Sequence, residues 1–278
     1  MEQKYILENC KSFEPEHIFE CGQCFRWNRE NGGSYTGVFS QNVINVKKED
    51  SKIIFTGVCN GDIEQECIKY FDLNTDYEDI KTKLSSIDNY LQTSIKYGEG
   101  IRILNQDLWE MIISFIISQN NNIPRIKKSI EGLCKIFSKT QITSELKSFP
   151  TAQEIISFGD KNKILEKLKS VGLGYRDEYI YLISLYTIEN PTWIDELKNM
   201  TYKDAFEKLI SFKGIGKKVA NCICLFGLHL INACPVDTWI QKIIDERYDG
   251  KIPSWMKSDV AGIYQQYAFY YERFLSKK

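Results

Sequence analysis

The stretch Thr201–Ile244, TYKDAFEKLISFKGIGKKVANCICLFGLHLINACPVDTWIQKII, decides the fold. Thr201 stands where a helix N-cap belongs, and the apolar spacing after it predicts a helix that runs into the turn Lys213-Gly214-Ile215-Gly216. A second helix is expected from about Lys217. Glycines at such a turn allow a sharp reversal and a close approach of backbone to a partner. The unbonded N–H groups at the second helix's N-terminus then present the positive end of a dipole. Such an end binds anions, and a DNA phosphate fits it. An ordinary αα-hairpin whose glycine merely ends a helix satisfies a bare GxG turn equally well.

The residues beyond the turn separate these two possibilities. Lys217 and Lys218 open the second helix, and a loop further on carries Pro235-Val236-Asp237-Thr238. This segment resembles the helix-hairpin-helix, Gly/Pro-rich loop and aspartate of the base-excision DNA glycosylase superfamily. Within it, FKGIGKKVANC with PVD downstream is similar to the 8-oxoguanine DNA glycosylase branch. The resemblance implies that Lys218 is an amine nucleophile and Asp237 its carboxylate partner, with Lys213, Gly214, Gly216 and Lys217 meeting the DNA backbone. The sequence departs from the pattern at Lys213, where proline is usual.

The chemistry asked of Lys218 is demanding. Attack on C1′ of a nucleoside needs an unprotonated amine, whereas a free lysine at pH 7 is almost entirely ammonium. A helix N-terminus, partial burial and neighbouring lysines all favour the neutral form. All three lysines could instead be phosphate contacts. Asp237 has a bland role as well, since it stands at the N-cap position before Thr238-Trp239-Ile240. Cap and catalyst can coexist, because the ionised carboxylate serves both.

The resemblance extends outward from the hairpin. Cys21-Gly22-Gln23-Cys24-Phe25-Arg26-Trp27 is similar to the GQ-x-FRW stretch whose glycine carbonyl reads the damaged base, which implies that role for Gly22. The CxxC within it is not read as half a metal site, because no second pair at ligand spacing exists. Ser118-Gln119-Asn120-Asn121-Asn122-Ile123-Pro124-Arg125 reads by composition as a loop and cap. By resemblance, its Asn120 and Arg125 fill the duplex and contact the estranged base, with Tyr175 as wedge and Arg176 as a second estranged-base contact. On the last helix, Gln265 is implied to meet the Watson–Crick edge, and Phe269 to stack the base against Cys222. Aromatics at such a helix end are otherwise read as core.

Composition allows this and excludes other classes. The chain of 278 residues has room for a sizeable core. It carries no apolar run long enough for a bilayer, and MEQKYILENC lacks the parts of a signal peptide. Nine cysteines without regular spacing suggest free thiols in a reducing compartment. A formal charge of −1 hides a split: residues 1–100 hold 11 Lys/Arg against 17 Asp/Glu, and the remainder holds 25 against 20. Affinity for a polyanion therefore belongs to the second part. Endonuclease III and adenine glycosylases share the hairpin but carry an iron–sulfur cysteine cluster after it. Here only Cys222, Cys224 and Cys234 lie beyond the turn.

The coarse pattern is α+β. Four strand-like runs, CFRWN, SYTGVF, NVINVKK and KIIFTGV, lie between Cys24 and Cys59, separated by turns at Asn31-Gly32-Gly33 and Glu49-Asp50. Helices begin at ECIKYF, with two short ones between Tyr77 and Tyr97, then a continuous helical region from Asp107. Expected helices include one from Pro124, then 151–158, 161–171, 177–187, 237–244 and 258–275. The expected organisation is an antiparallel sheet domain at 1–98, TATA-binding-protein-like by resemblance, and a two-lobed helix-hairpin-helix domain at 99–278, divided near Gly98-Glu99-Gly100. The expected function is excision of 8-oxoguanine from damaged duplex DNA with AP-lyase cleavage, by a monomer needing no metal or organic cofactor. It would act at the nucleoid of a prokaryote or in a nucleus, with no membrane partner. The competing readings are a catalytically silent DNA-binding module and an alkyl-base glycosylase.

Overall fold

The computed structural model describes residues 2–85 and 88–275. Five strands, β1 (Glu2–Leu7), β2 (Trp27–Arg29), β3 (Tyr35–Phe39), β4 (Asn42–Glu49) and β5 (Lys52–Val58), form one antiparallel sheet in the order β1-β5-β4-β3-β2. Alternation sets its inner face: Ile44 and Val46 of β4 and Ile53 and Phe55 of β5 point inward, while their neighbours face outward. Helix α1 (Pro15–Glu20) and helix α2 (Ile63–Tyr70) supply further buried residues to this face. The core between them is aromatic. Phe19 stacks on Trp27 and Phe39 on Tyr70, each at 4.0 Å between ring centroids, and the Trp27 indole N–H donates to the Tyr70 hydroxyl at 2.9 Å.

Helices α3 (Tyr77–Ser85) and α4 (Asn89–Tyr97) precede the main helical body of α5 (Leu108–Ser118), α6 (Ile123–Phe137), α7 (Ala152–Ile156), α8 (Lys161–Ser170) and α9 (Arg176–Glu189). It continues through α10 (Trp193–Lys198), α11 (Tyr202–Ile210), α12 (Lys217–Phe226), α13 (Thr238–Arg247), a 3-10 turn (Ser254–Lys257) and α14 (Ala261–Leu275). Helix α5, LWEMIISFIIS, is buried along nearly its whole length, as a helix apolar on all sides must be. It is the axis around which α6, α9 and α12 pack. None of the described helices is long and apolar enough to cross a membrane.

Polar struts join the sheet to the helices. The Arg102 guanidinium donates to the carbonyls of Phe71 (3.0 Å), Ser12 (3.1 Å), Thr75 (3.0 Å) and Asp72, and lies over the Tyr77 ring. Buried Arg26, beside β2, pairs with Glu131 of α6 at 2.9 Å.

The elements differ from the sequence reading in several places. Strand β1, helix α1 and helix α10 have no counterpart in it, and CFRWN is a strand only from Trp27. Cys24 and Phe25 precede that strand, and Phe25 belongs to the helical core, edge-on to Phe115 at 5.6 Å. Helix α14 begins at Ala261, not Ser258, because Ser258 ends the 3-10 turn in an extended conformation (ψ 161°). The two cores interleave in sequence: Cys21, Phe25, Tyr77, Leu91 and Ile95 pack in the helical core, whereas the sheet core includes residues between Phe13 and Phe71 together with Leu104.

Candidate active site

The hairpin forms as its residues dictate. Thr201 caps α11 by accepting from the Asp204 N–H at 3.3 Å. The turn needs Gly214, whose φ is +91° and whose added Cβ would lie 2.4 Å from the Tyr179 ring. Gly216 is the N-cap of α12 and offers no side chain, so the first N–H groups of that helix remain open to an incoming anion. Lys217 is exposed, while Lys218 is half-buried on another face of the helix.

Lys218 and Asp237 line one cavity of about 880 Å³ together with Gly22, Phe115, Asn120 and Phe269. The Lys218 ammonium lies 5.5 Å from the centroid of the Phe115 ring. Asp237 is the N-cap of α13: its Oδ1 accepts from the N–H groups of Trp239 (3.1 Å) and Ile240 (2.9 Å). Oδ2 takes no part in the cap. Burial raises the Asp237 carboxyl above its ordinary value, opposed by the Ile240 N–H and by the charge of Lys218. Burial likewise raises the Cys222 thiol one helical turn from Lys218, with the lysine pulling the other way. Among the described residues Lys218 and Asp237 form no ion pair, so neither group is locked by the other.

The opposite wall is Gly22, at φ +80°, where an added Cβ would stand 3.4 Å from the Phe269 ring. Its position is fixed by the fully buried Gln23. That side chain donates to Ile18 O (3.0 Å) and Arg102 O (2.8 Å) and accepts from Leu104 N–H (2.9 Å), while its own backbone carbonyl accepts from Gln106 (2.9 Å). The glutamine after the glycine is thus a splint for the loop.

The chain is similar to known proteins in sequence and in fold. The family described as "8-oxoguanine DNA glycosylase, N-terminal domain" matches residues 5–112. The N-glycosylase/DNA lyase of Saccharomyces cerevisiae is 31% identical over 263 residues, covering 84% of this chain and 67% of the yeast protein. The chain belongs to the 8-oxoguanine DNA glycosylase/lyase family. A probable N-glycosylase/DNA lyase of Methanothermobacter thermautotrophicus is also 31% identical, over 67% of this chain and 65% of that protein. The chain therefore spans about two thirds of the length of these relatives. Among solved structures, the Clostridium acetobutylicum 8-oxoguanine glycosylase/lyase in its apo form superposes with TM-score 0.88 at 33% identity, covering 98% of each chain. The same enzyme with double-stranded DNA containing cytosine opposite 8-oxoG gives TM-score 0.89 at 32% identity, over 99% of this chain and 98% of that one. A 3-methyladenine DNA glycosylase of Archaeoglobus fulgidus, at 20% identity and TM-score 0.76, shares the fold.

The remaining sequence-derived residues of this glycosylase divide into three groups. All three asparagines of the 120–122 loop line the cavity mouth, and Asn120 adopts φ +44°. Asn121 donates to Ile117 O (3.2 Å) and Asn122 caps α6, while Asn120 lines the cavity between α5 and α6. Arg125 and Tyr175 are exposed beside it, and Lys213 is exposed and paired with Glu178 at 3.2 Å. Gln265 and Cys222, in contrast, are each only 3% exposed and do not line the cavity; the Gln265 Oε1 accepts from Gln266 at 2.9 Å.

Arg176 faces inward. It is buried, and its guanidinium donates to the carbonyls of Gln119 (Nε, 3.1 Å), Leu173 (3.1 Å) and Asn120 (3.3 Å), with Nη2 also on Gln119 O. The reason is local: Gly174 at φ +57° turns the chain so that α9 begins with Arg176 under the asparagine loop. Phe115, Gln119, Trp239, Gln241 and Arg273 also line the cavity and are not marked by the sequence reading. Phe115 sits in an apolar helix and reads as core, so no local signal distinguishes it.

Proposed function

We propose that this chain excises 8-oxoguanine from duplex DNA and then cleaves the strand at the emptied site, with Lys218 as nucleophile and Asp237 as the acidic partner. The observation that carries this is the shared cavity: Lys218 from the start of α12 and Asp237 from the cap of α13 meet there opposite Gly22 and Phe269. The extruded nucleotide enters beside Asn120, which helps to occupy the space it leaves. As the C1′–N9 bond breaks, positive charge grows on the sugar, and the buried Asp237 carboxylate stabilises it. The neutral Lys218 amine bonds to C1′, and the base departs with its electron pair and gains a proton. Opening of the sugar gives a lysine iminium, and loss of a C2′ proton then expels the 3′ phosphate. Asp237 accepts the proton that the attacking amine sheds.

Gly22 supports the choice of base. 8-Oxoguanine carries N7–H where guanine has a bare lone pair, so a carbonyl here gains a hydrogen bond with one and repels the other. We further propose that the protein acts as a monomer on chromosomal DNA, with the sheet and helical domains divided along their two cores. The test is an oligonucleotide duplex with one 8-oxoguanine. The proposal expects free 8-oxoguanine and strand scission without added base, and release of base with an intact strand would remove the lyase role.

A further inference from the structure

We propose that a second cavity, at the N-terminal end of α5, binds a small organic cation that carries N–H donors on a flat apolar body, with the Glu110 carboxylate as its counter-ion. This cavity has a volume of about 660 Å³ and shares no lining residue with the one that holds Lys218 and Asp237. Trp109, Phe149, Ile188, Pro191 and Ile194 give it apolar walls. Its charged lining residues are Asp107, Glu110 and Glu154, with no lysine or arginine among them. Two of these carboxylates are already committed. Asp107 caps α5 by accepting from the Glu110 N–H at 2.8 Å, and Glu154 accepts from the N–H groups of Lys139 (2.7 Å) and Thr151 (2.8 Å). Glu110 differs: it is only 8% exposed, it lines the cavity, and its carboxylate forms no hydrogen bond or ion pair among the described residues.

The surroundings leave that group unmet. Arg26 favours its ionised form, but Arg26 spends Nε on Glu131 (2.9 Å) and Nη2 on Lys147 O (2.7 Å), and it forms no ion pair with Glu110 among the described residues. Asp107 and Glu131 oppose ionisation, and burial keeps the neighbouring Cys24, Tyr70 and Cys134 neutral. Burial itself pushes the Glu110 carboxyl up to about 8, so at neutral pH it holds its proton. Neither the fold nor the excision chemistry uses this group: an uncompensated buried carboxylate weakens a core, and the site of base release lies in the other cavity. A bound cation does use it. The cation takes the place of the proton, which leaves to solvent, and a charge-assisted bond made away from water is stronger than one made in it. An amidinium suits best, because its paired N–H groups match the two oxygens of a carboxylate and a ring attached to it meets the apolar walls.

Benzamidine is the probe, titrated to millimolar concentration into the full chain while the indole N–H resonances are followed by NMR. Trp109 donates to Pro150 O at 2.9 Å and reports this cavity, whereas Trp239 lines the catalytic one. Trp109→Phe and Trp239→Phe assign the two signals. The Trp109 resonance is expected to shift saturably and the Trp239 resonance to stay in place. Because the cation binds the ionised carboxylate, affinity should rise roughly tenfold per pH unit up to about 8 and level off above it. Glu110→Gln keeps the shape of the side chain, and it should weaken binding about 10-fold or more at about pH 9 and abolish the pH dependence. Benzamide, which is flat but neutral, should bind wild type no better than benzamidine binds Glu110→Gln. The proposal is overturned if the Trp109 signal does not respond, if Trp239 alone responds, or if Glu110→Gln binds as tightly as wild type at the alkaline end. Equal affinity for benzamide and benzamidine overturns it as well, since shape and not charge would then be selected.

Discussion

Asp237 caps α13 and, in the proposed mechanism, also faces the developing cation, and substitution can separate the two tasks. Asn retains an Oδ1 that can accept the N–H groups of Trp239 and Ile240, and Asn and Asp are comparable caps. Asp237→Asn should therefore leave stability within about 0.5 kcal/mol, or gain slightly, since burial already disfavours the charged form. The sign comes from the raised carboxyl. Its ionised form is penalised in the fold at neutral pH, the penalty fades as pH falls through the raised value, and the amide escapes it. Asp237→Ala loses the cap, about 1 kcal/mol, or a drop of roughly 2–4 °C in Tm for a protein of this size. Both variants lose the charge facing the developing cation, which is worth about 2.7–4 kcal/mol, so excision should fall roughly 100- to 1,000-fold in each. The assay pairs single-turnover excision with a thermal melt. The reasoning fails if Asp237→Asn melts as low as Asp237→Ala, or if it excises at near the wild-type rate. In wild type the acid limb of the rate should lie above the usual aspartate range, with activity lost as pH falls.

Charge and base chemistry set further expectations. Residues 101–278 exceed neutrality by only five charges, 25 Lys/Arg against 20 Asp/Glu. The slope of log K against log salt should thus be shallow, roughly −3 to −5, and a slope near −10 would reveal a larger basic surface. 8-Bromoguanine presented in the same orientation has bulk at C8 but no N7–H, so it should be excised far more slowly than 8-oxoguanine; equal rates would return Gly22 to the role of turn glycine. Glu110 is buried, and burial pushes its carboxyl up to about 8 against the opposing charge of Arg26. Its ionisation costs the fold stability as pH rises from the unfolded value toward 8. Glu110→Gln should raise Tm at pH near 9 and leave it unchanged near pH 4, and a gain of equal size at both would remove the explanation.

Local chemistry makes the hairpin legible: a capping Thr201, a turn needing glycine at Gly214 and a helix begun without a side-chain cap are neighbours in sequence. The same holds for β3–β4–β5, joined by short turns. Distant partners set what stays hidden. Strand β1 is defined by its pairing with β5, Glu2 opposite Val58 and Leu7 opposite Ile53, some fifty residues away. Phe25 reads as strand, yet its ring belongs with Phe115 in the helical core. Helix α10 is six residues long and begins just after Pro191, too short for a period to show. At the site, Lys218 and Asp237 are singled out by the resemblance of FKGIGKKVANC and PVD to a family motif, since a helix start alone fits a phosphate contact or an N-cap equally well. The inward fork of Arg176 has no such signal, because it depends on carbonyls at Gln119 and Asn120 that no side-chain pattern reports.

That one amine at the second position of α12 does the chemistry is tested most directly by borohydride trapping on an 8-oxoguanine duplex. Lys218 lines the cavity with Asp237, and Lys217 is exposed on another face. Only an amine that forms an iminium leaves a reducible covalent adduct. Wild type and Lys217→Gln should both be trapped on the DNA, and Lys218→Gln should give neither adduct nor released base. An adduct that survives in Lys218→Gln and vanishes in Lys217→Gln would contradict the assignment of the nucleophile.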